Sequence, residues 1–191
     1  MIRPTLMVAA AVTAALGAGA VVSAAQSPSP PTSSTALADE CARTLPTPAA
    51  DAPPTFLKVQ GITGESRAAA HLGESEVDSF RFGAAGGGGT ARSHVRTMVI
   101  GKAFDSASPA LLARLATGAH IGTVVVSQDK PAGTFLKYTL TDVQVADYED
   151  VGRVARNADR LCLTFATAEV EYKPQRPDGT FGVPVKATLN R

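Results

Sequence analysis

The side chains able to do chemistry are few in this chain, and their spacing keeps them apart. The three histidines are His71, His94 and His120. They fall on different expected elements, and no two have the short spacing that brings ligands onto one metal. His71 sits in a polar stretch and is expected to be solvated. His120 follows Gly118 at the end of an expected helix, where an imidazolium interacts favourably with the dipole. No serine stands in a nucleophile-elbow pattern. The run Gly86–Gly89 invites a phosphate-loop reading, but no Lys-Ser or Lys-Thr follows it and no helix opens there; a mobile loop is expected instead. Asp105, Asp142, Asp147, Glu149, Asp150, Glu169 and Glu171 are scattered along the chain. Glu169 and Glu171 share one face of a strand and would make a solvated rim or a pore lining. Paired acid/base work needs a cleft that nothing here implies. The expectation is therefore no catalytic residue, no metal and no cofactor; a Ser-His-Asp set assembled only by the fold is the enzymatic alternative.

Two cysteines remain, Cys41 and Cys162, and their meaning depends on the compartment. Met1 to Ala25 reads as a secretory signal. Arg3 is a minimal basic start, Leu6 to Ala20 is apolar and uncharged, and the stretch ends in small residues that allow cleavage after Ala24 or Ala25. The alternative is a retained anchor, because the apolar run approaches the roughly 20 residues needed to span; its Ala and Gly content makes it weakly hydrophobic for that purpose. A lipoprotein reading fails, since Cys41 lies far beyond the apolar run and follows Asp39 and Glu40. In an oxidising compartment an even cysteine count favours a bridge. A Cys41–Cys162 bond would pin the N-terminal tail onto a strand. The other reading is a buried free Cys162 and an exposed Cys41 that pairs with another molecule. Cys162 lies within an apolar strand, a poor place for an activated thiolate.

The elements that would position these groups are mostly strands. Gln26 to Thr35 is a Pro/Ser/Thr tract unable to bury a core. Ala36 to Leu45 has room for one helical turn, and four prolines (Pro46, Pro48, Pro53, Pro54) make the rest a stiff spacer. Residues 26–54 are thus expected to be a mostly disordered linker, and 55–191 one folded domain. With 191 residues in all, one domain plus tails is the natural size. Strands are expected over Thr55–Gly61, Glu76–Gly83, Ser93–Lys102, Ile121–Ser127, Phe135–Asp147, Arg160–Tyr172 and Val183–Leu189. In Glu76–Gly83, Val77, Ser79 and Arg81 face one way and Phe80 and Phe82 the other. The apolar phase shifts inside two strands: Leu136, Tyr138 and Leu140 give way to Val143 and Val145, and Leu161, Leu163 and Phe165 to Ala168, Val170 and Tyr172. The first shift predicts a bulge near Thr141–Asp142. Strands that swap faces suit a small antiparallel β-barrel or a two-sheet sandwich. One short α-helix flanks it: Ser108 can cap, Pro109 suits the first position and Gly118 the end. Leu111, Leu112 and Leu115 are its expected apolar stripe, which must pack on the barrel. With a formal charge of +1 and no charge block, the chain has no footprint for nucleic acid or for an anionic membrane.

Several segments, in order, resemble the haemolysin-coregulated protein (Hcp) family, the tube subunit of type VI secretion. FLKVQGITGES (Phe56–Ser66) is similar to the family's opening strand and turn. HLGESEVDSFRFG (His71–Gly83) is similar to its second strand, with Phe80 and Phe82 where the family usually carries Trp, and the glycine run matches the loop that follows. FDSASPALLARLATGAHI (Phe104–Ile121) is the sharpest match, through Asp105, Ala107, Ser108, Pro109, Leu111, Gly118 and His120. FLKYTLTDVQV (Phe135–Val145), LCLTFATAEVEY (Leu161–Tyr172), Pro174, Gln175, Asp178 and Gly179 complete it. The resemblance implies a mainly β barrel with a flanking helix and no active site. It further implies self-association into a ring, hexameric in the family, and rings that stack into a tube carrying effector cargo. By the same analogy Ser79 and Arg81 are candidates for lumen or cargo contact. The signal and the cysteine pair depart from the family pattern and suggest a secreted, extracellular variant, free of the membrane once cleaved. The alternative function is a monomeric extracellular binding module, which predicts an exposed aromatic patch around Phe80, Phe82 and Tyr148.

Overall fold

The computed structural model describes residues 33–84, 96–152 and 157–190. The signal stretch, His94 and the glycine run lie outside them. The elements are α1 (Ser33–Ala42), β1 (Thr55–Val59), β2 (Ser75–Ala84), β3 (Arg96–Ala103), α2 (Ser108–Thr117), β4 (Ile121–Lys130), β5 (Gly133–Gly152), β6 (Asn157–Tyr172) and β7 (Val185–Leu189), with a short 3-10 turn at Ala69–His71.

All pairings are antiparallel. The strands follow the order β3-β2-β1-β4-β5-β6-β7, and β3 also pairs with β6. That extra ladder, from Thr97↔Thr164 to Ala103↔Ala158, closes β1 to β6 into a barrel and leaves β7 as an added strand. Closure removes most of the unpaired edges an open sheet would present. Alternation puts Met98 and Ile100 of β3, Val124 and Val126 of β4, and Leu161, Leu163 and Phe165 of β6 into one core. The residues between them, such as Val99 and Cys162, face outward.

The phase change in β5 is present, but the pairing does not slip where the pattern predicted. Asp142 adopts a left-handed φ of 53°, which turns the pleat over between Leu140 and Val143. An aspartate tolerates that conformation better than most residues. Because β6 changes phase at the same level, the two strands stay in step through Thr141↔Thr167 and Val143↔Phe165. The register shift falls later, between Val145 and Asp147.

Helix α2 ends as expected. Gly118 takes a φ of 64°, and its N–H donates to the Leu115 carbonyl at 3.2 Å. Its start differs: Ser108 is the first helical residue and Ala107 precedes it, while Asp105 Oδ1 accepts from the Ala107 N–H and Ser108 Oγ from the Asp105 N–H, both at 3.0 Å. The stripe is narrower than expected. Leu111 is buried and Leu115 packs on the core, while Leu112 is 48% exposed. Leu111 and Leu115, four residues apart, share the buried side, while Leu112, about 100° round the helix from Leu111, lies at its margin. The single turn expected over Ala36–Leu45 is instead the ten-residue α1.

Candidate functional site

Four arrangements of polar or exposed residues stand out. The first is a buried knot at the foot of α2. Lys102, the last core-facing residue of β3, is 0% exposed. Its Nζ donates to Asp105 Oδ1 at 2.7 Å, to Ser108 Oγ at 2.9 Å and to the Ala103 carbonyl at 3.0 Å, and it lies 2.9 Å from Asp159 Oδ2. Tyr148 Oη donates to Asp159 Oδ1 at 2.7 Å, and Ser108 Oγ donates to Asp159 Oδ2. Burial pushes the Asp105 carboxyl up, but the bonds from Lys102 and Ser75 outweigh it and hold its pKa below 3.8. Burial first, and then the Asp159 carboxylate, push the Tyr148 phenol well above its ordinary value. Lys102 and Ser108 side by side look like a nucleophile with its base. Here the ammonium is saturated with acceptors and the serine is held by a carboxylate. The group joins β3, β5, β6 and α2, and its geometry is that of a clamp.

The second arrangement corrects the reading of His71. The imidazole is buried, not solvated. It stacks on Phe56 with ring centroids 4.0 Å apart, and its two nitrogens meet Glu74 Oε2 at 2.8 Å and Asp129 Oδ2 at 2.9 Å. Burial lowers its pKa, but the two carboxylates outweigh that and raise it above 6.5. His71 thereby ties the loop before β2 to the end of β4. His120 is exposed and turns to Asp142 rather than to the helix end. Among the described residues no group of three His, Cys, Asp or Glu is placed to hold a metal ion.

The third arrangement involves Cys41, Cys162, Ser79 and Arg81. Cys41 and Cys162 are joined by a disulfide with their Cα atoms 5.4 Å apart. The bond brings α1 and the segment after it onto the outer face of β2, β3 and β6. Leu37, Leu45 and Ala146 pack there against Val99 and the two cysteines. Arg81 Nη2 donates to Glu40 Oε2 at 2.7 Å, and Arg160 Nη2 donates to the Arg43 carbonyl at 3.0 Å. The cover lies close over Gly101: a Cβ there would be 2.9 Å from Leu45 Cδ1. A groove of about 960 Å³ runs between the cover and the barrel, and Ser79 lines it. The sequence placed Val77, Ser79 and Arg81 on one face; the register shift between Val77 and Ser79 instead sends Val77 into the core, and the chain's own N-terminal segment lies over the face of Ser79 and Arg81.

The fourth is the strand edge. Among the described residues β7 pairs with β6 on one side only, and β5 beyond Val143 pairs with β6 alone. Val183 and Val185, at 78% and 63% exposure, flank the β7 edge together with the half-exposed Tyr172. The aromatic patch predicted for a binding module does not form. Phe80 and Phe82 pack onto Tyr138, and Phe82 also stacks on Phe165. Their side of β2 faces the core, and Tyr148 belongs to the Lys102 knot.

A closed antiparallel barrel with a flanking helix clamped by a buried ion network is the class of fold these residues define. A family model described as "Type VI secretion system effector, Hcp" matches residues 56–172, and the chain belongs to the Hcp family. Hcp1 from Salmonella typhimurium is similar at 28% identity and a TM-score of 0.61, over 73% of this chain and 94% of that one. Hcp2 from the same organism is also 28% identical, with a TM-score of 0.58, over 72% of this chain and 95% of that one. A type VI secretion system effector from Yersinia pestis has the same fold at 24% identity and a TM-score of 0.61, over 72% of this chain and 99% of that one. No curated protein sequence matches the chain. The role is that of a non-enzymatic Hcp-like structural or carrier protein.

Proposed function

We propose that the chain is exported by its N-terminal signal, cleaved after Ala24 or Ala25, and assembles outside the membrane into Hcp-like rings that carry secreted proteins as cargo, with no reaction of its own. Family membership over residues 56–172 carries this reading. The edges support it. A β7 with one free side and a β5 open beyond Val143 are two different edges of one molecule, and a head-to-tail contact between unlike edges closes into a ring when the rotation permits. The exposed Val183 and Val185 give such a contact apolar area to bury. Mass photometry of the exported chain at micromolar concentration tests this. A ring mass is expected, and a strict monomer overturns assembly.

A second reading keeps the barrel monomeric, with the disulfide-held segment covering the face that bears Ser79 and Arg81. The Glu40–Arg81 ion pair favours it, since it occupies the charge proposed for cargo. The same measurement separates the two. If rings form, Arg81→Glu should change cargo retention while leaving ring mass and folding intact.

A further inference from the structure

The barrel closes without the N-terminal segment. The β3–β6 ladder and the main core involve no residue before Leu57. The segment from Ser33 to Pro48 lies on the opposite face of that ladder, where it covers Val99, Cys162, Ser79 and Gly101. Its hold there includes, besides the disulfide, the Glu40–Arg81 ion pair, the bond from Arg160 to the Arg43 carbonyl and the packing of Leu37 and Leu45. A helix of ten residues does not sustain itself in water without tertiary contacts. The bond that keeps it in place joins positions 121 residues apart, so breaking it turns an intramolecular tether into a free end.

We propose that the Cys41–Cys162 bond is a redox latch: oxidised, it holds Ser33–Pro48 over the β2–β3–β6 face, and a dithiol reductant releases that cover while the barrel stays folded. The chemistry is thiol–disulfide exchange. A thiolate of the reductant attacks one sulfur and the Sγ–Sγ bond breaks. The reductant's second thiol then resolves the mixed disulfide. Two electrons pass to the protein, Cys41 and Cys162 become thiols, and the reductant leaves as a disulfide. Cys41 lines the groove beneath the cover but is only 4% exposed, so the attacking thiolate reaches its sulfur from that side when the cover opens locally. With attack on Cys41, Cys162 is the sulfur that leaves; it is 1% exposed, and its apolar surroundings disfavour the thiolate, so the exchange is slow until the cover loosens. Release frees Arg81 from Glu40, bares Val99 and turns the groove into an open sheet face. This holds whether or not the chain forms rings.

Hydrogen exchange read by mass spectrometry on the exported chain, with and without dithiothreitol, tests the latch. After reduction, verified by a gain of two hydrogens in intact mass, peptides covering residues 33–48 should exchange about tenfold faster or more, while β1 and β4 keep their protection. Cys162 should react with iodoacetamide in native buffer only after reduction. Cys41→Ser should show the released state without reductant. Unchanged exchange of residues 33–48 in the fully reduced chain overturns the proposal. So does equal loss of protection in β1 and β4, or a Cys41→Ser chain that does not fold, since the bond would then be a staple of the whole domain. A bond that resists reduction under native conditions overturns it as well.

Discussion

Replacing Lys102 with methionine removes one positive charge from the centre of the knot and almost no volume. Asp159 is wholly buried and Asp105 nearly so, and both would then face each other without a cation. Removing one partner of a buried ion pair costs about 3–5 kcal/mol, because the remaining charge is left uncompensated. Native domains have only about 5–15 kcal/mol to lose, so Lys102→Met should be folded but much weakened. Small domains lose about 1–3 kcal/mol of stability per molar urea, which places the unfolding midpoint about 2 M lower, with an unchanged slope. Adding Asp159→Asn should restore part of the loss, with a coupling of about 1 kcal/mol or more. The pH profile gives a second signature. The Asp105 carboxyl is held below its unfolded value of 3.8, so its contribution is present above that pH and fades as pH falls through the lower folded value. Lys102→Met should flatten this acid limb. A loss below about 1 kcal/mol, or strictly additive effects in the double variant, would refute the account of the knot as a tightly coupled clamp.

His71 should make the domain less stable as pH rises. Its folded pKa lies above 6.5, so its contribution is complete below that pH and is lost as pH climbs through the folded value. Thermal unfolding from pH 5.5 to 8.5 should show the decline, and His71→Gln should remove it; a wild-type profile that rises over that range counts against the paired imidazolium. The double change Val183→Lys and Val185→Lys places two charges on the β7 edge, where both native side chains face solvent. Its Tm should move little, because exposed positions tolerate substitution. Its assembly state by mass photometry should fall to the monomer, and unaltered rings would remove β7 from the interface.

Much of the barrel is legible in the residues. The seven expected strands correspond to β1–β7 in order, and Pro109 and Gly118 bracket α2 because one lacks an N–H and the other tolerates positive φ. The face change in β5 was visible as a slipped apolar phase. Its place at Thr141–Asp142 was visible too, but its nature was not: Asp142 absorbs the turn in φ and β6 shifts in parallel, which leaves the pairing intact. The Lys102 knot was hidden for a different reason. A lysine at the end of an expected strand reads as solvated, and its partner Asp159 is close only because β3 and β6 pair. Likewise, His71 looked like a loop residue until β1 and β4 came together and placed Phe56 and Asp129 beside it.

What the chain alone determined is local: alternation of two, a helix punctuated by Pro and Gly, an order of motifs, and two cysteines whose partners were left open. These depend on neighbours a few residues away, where side-chain type and backbone preference act directly. The tertiary structure decided which charges are buried, which edges stay open and which face the N-terminal segment covers. Those outcomes depend on strands far apart in sequence meeting at one register, and the free energy of a buried ion or a covered face exists only once that register has closed.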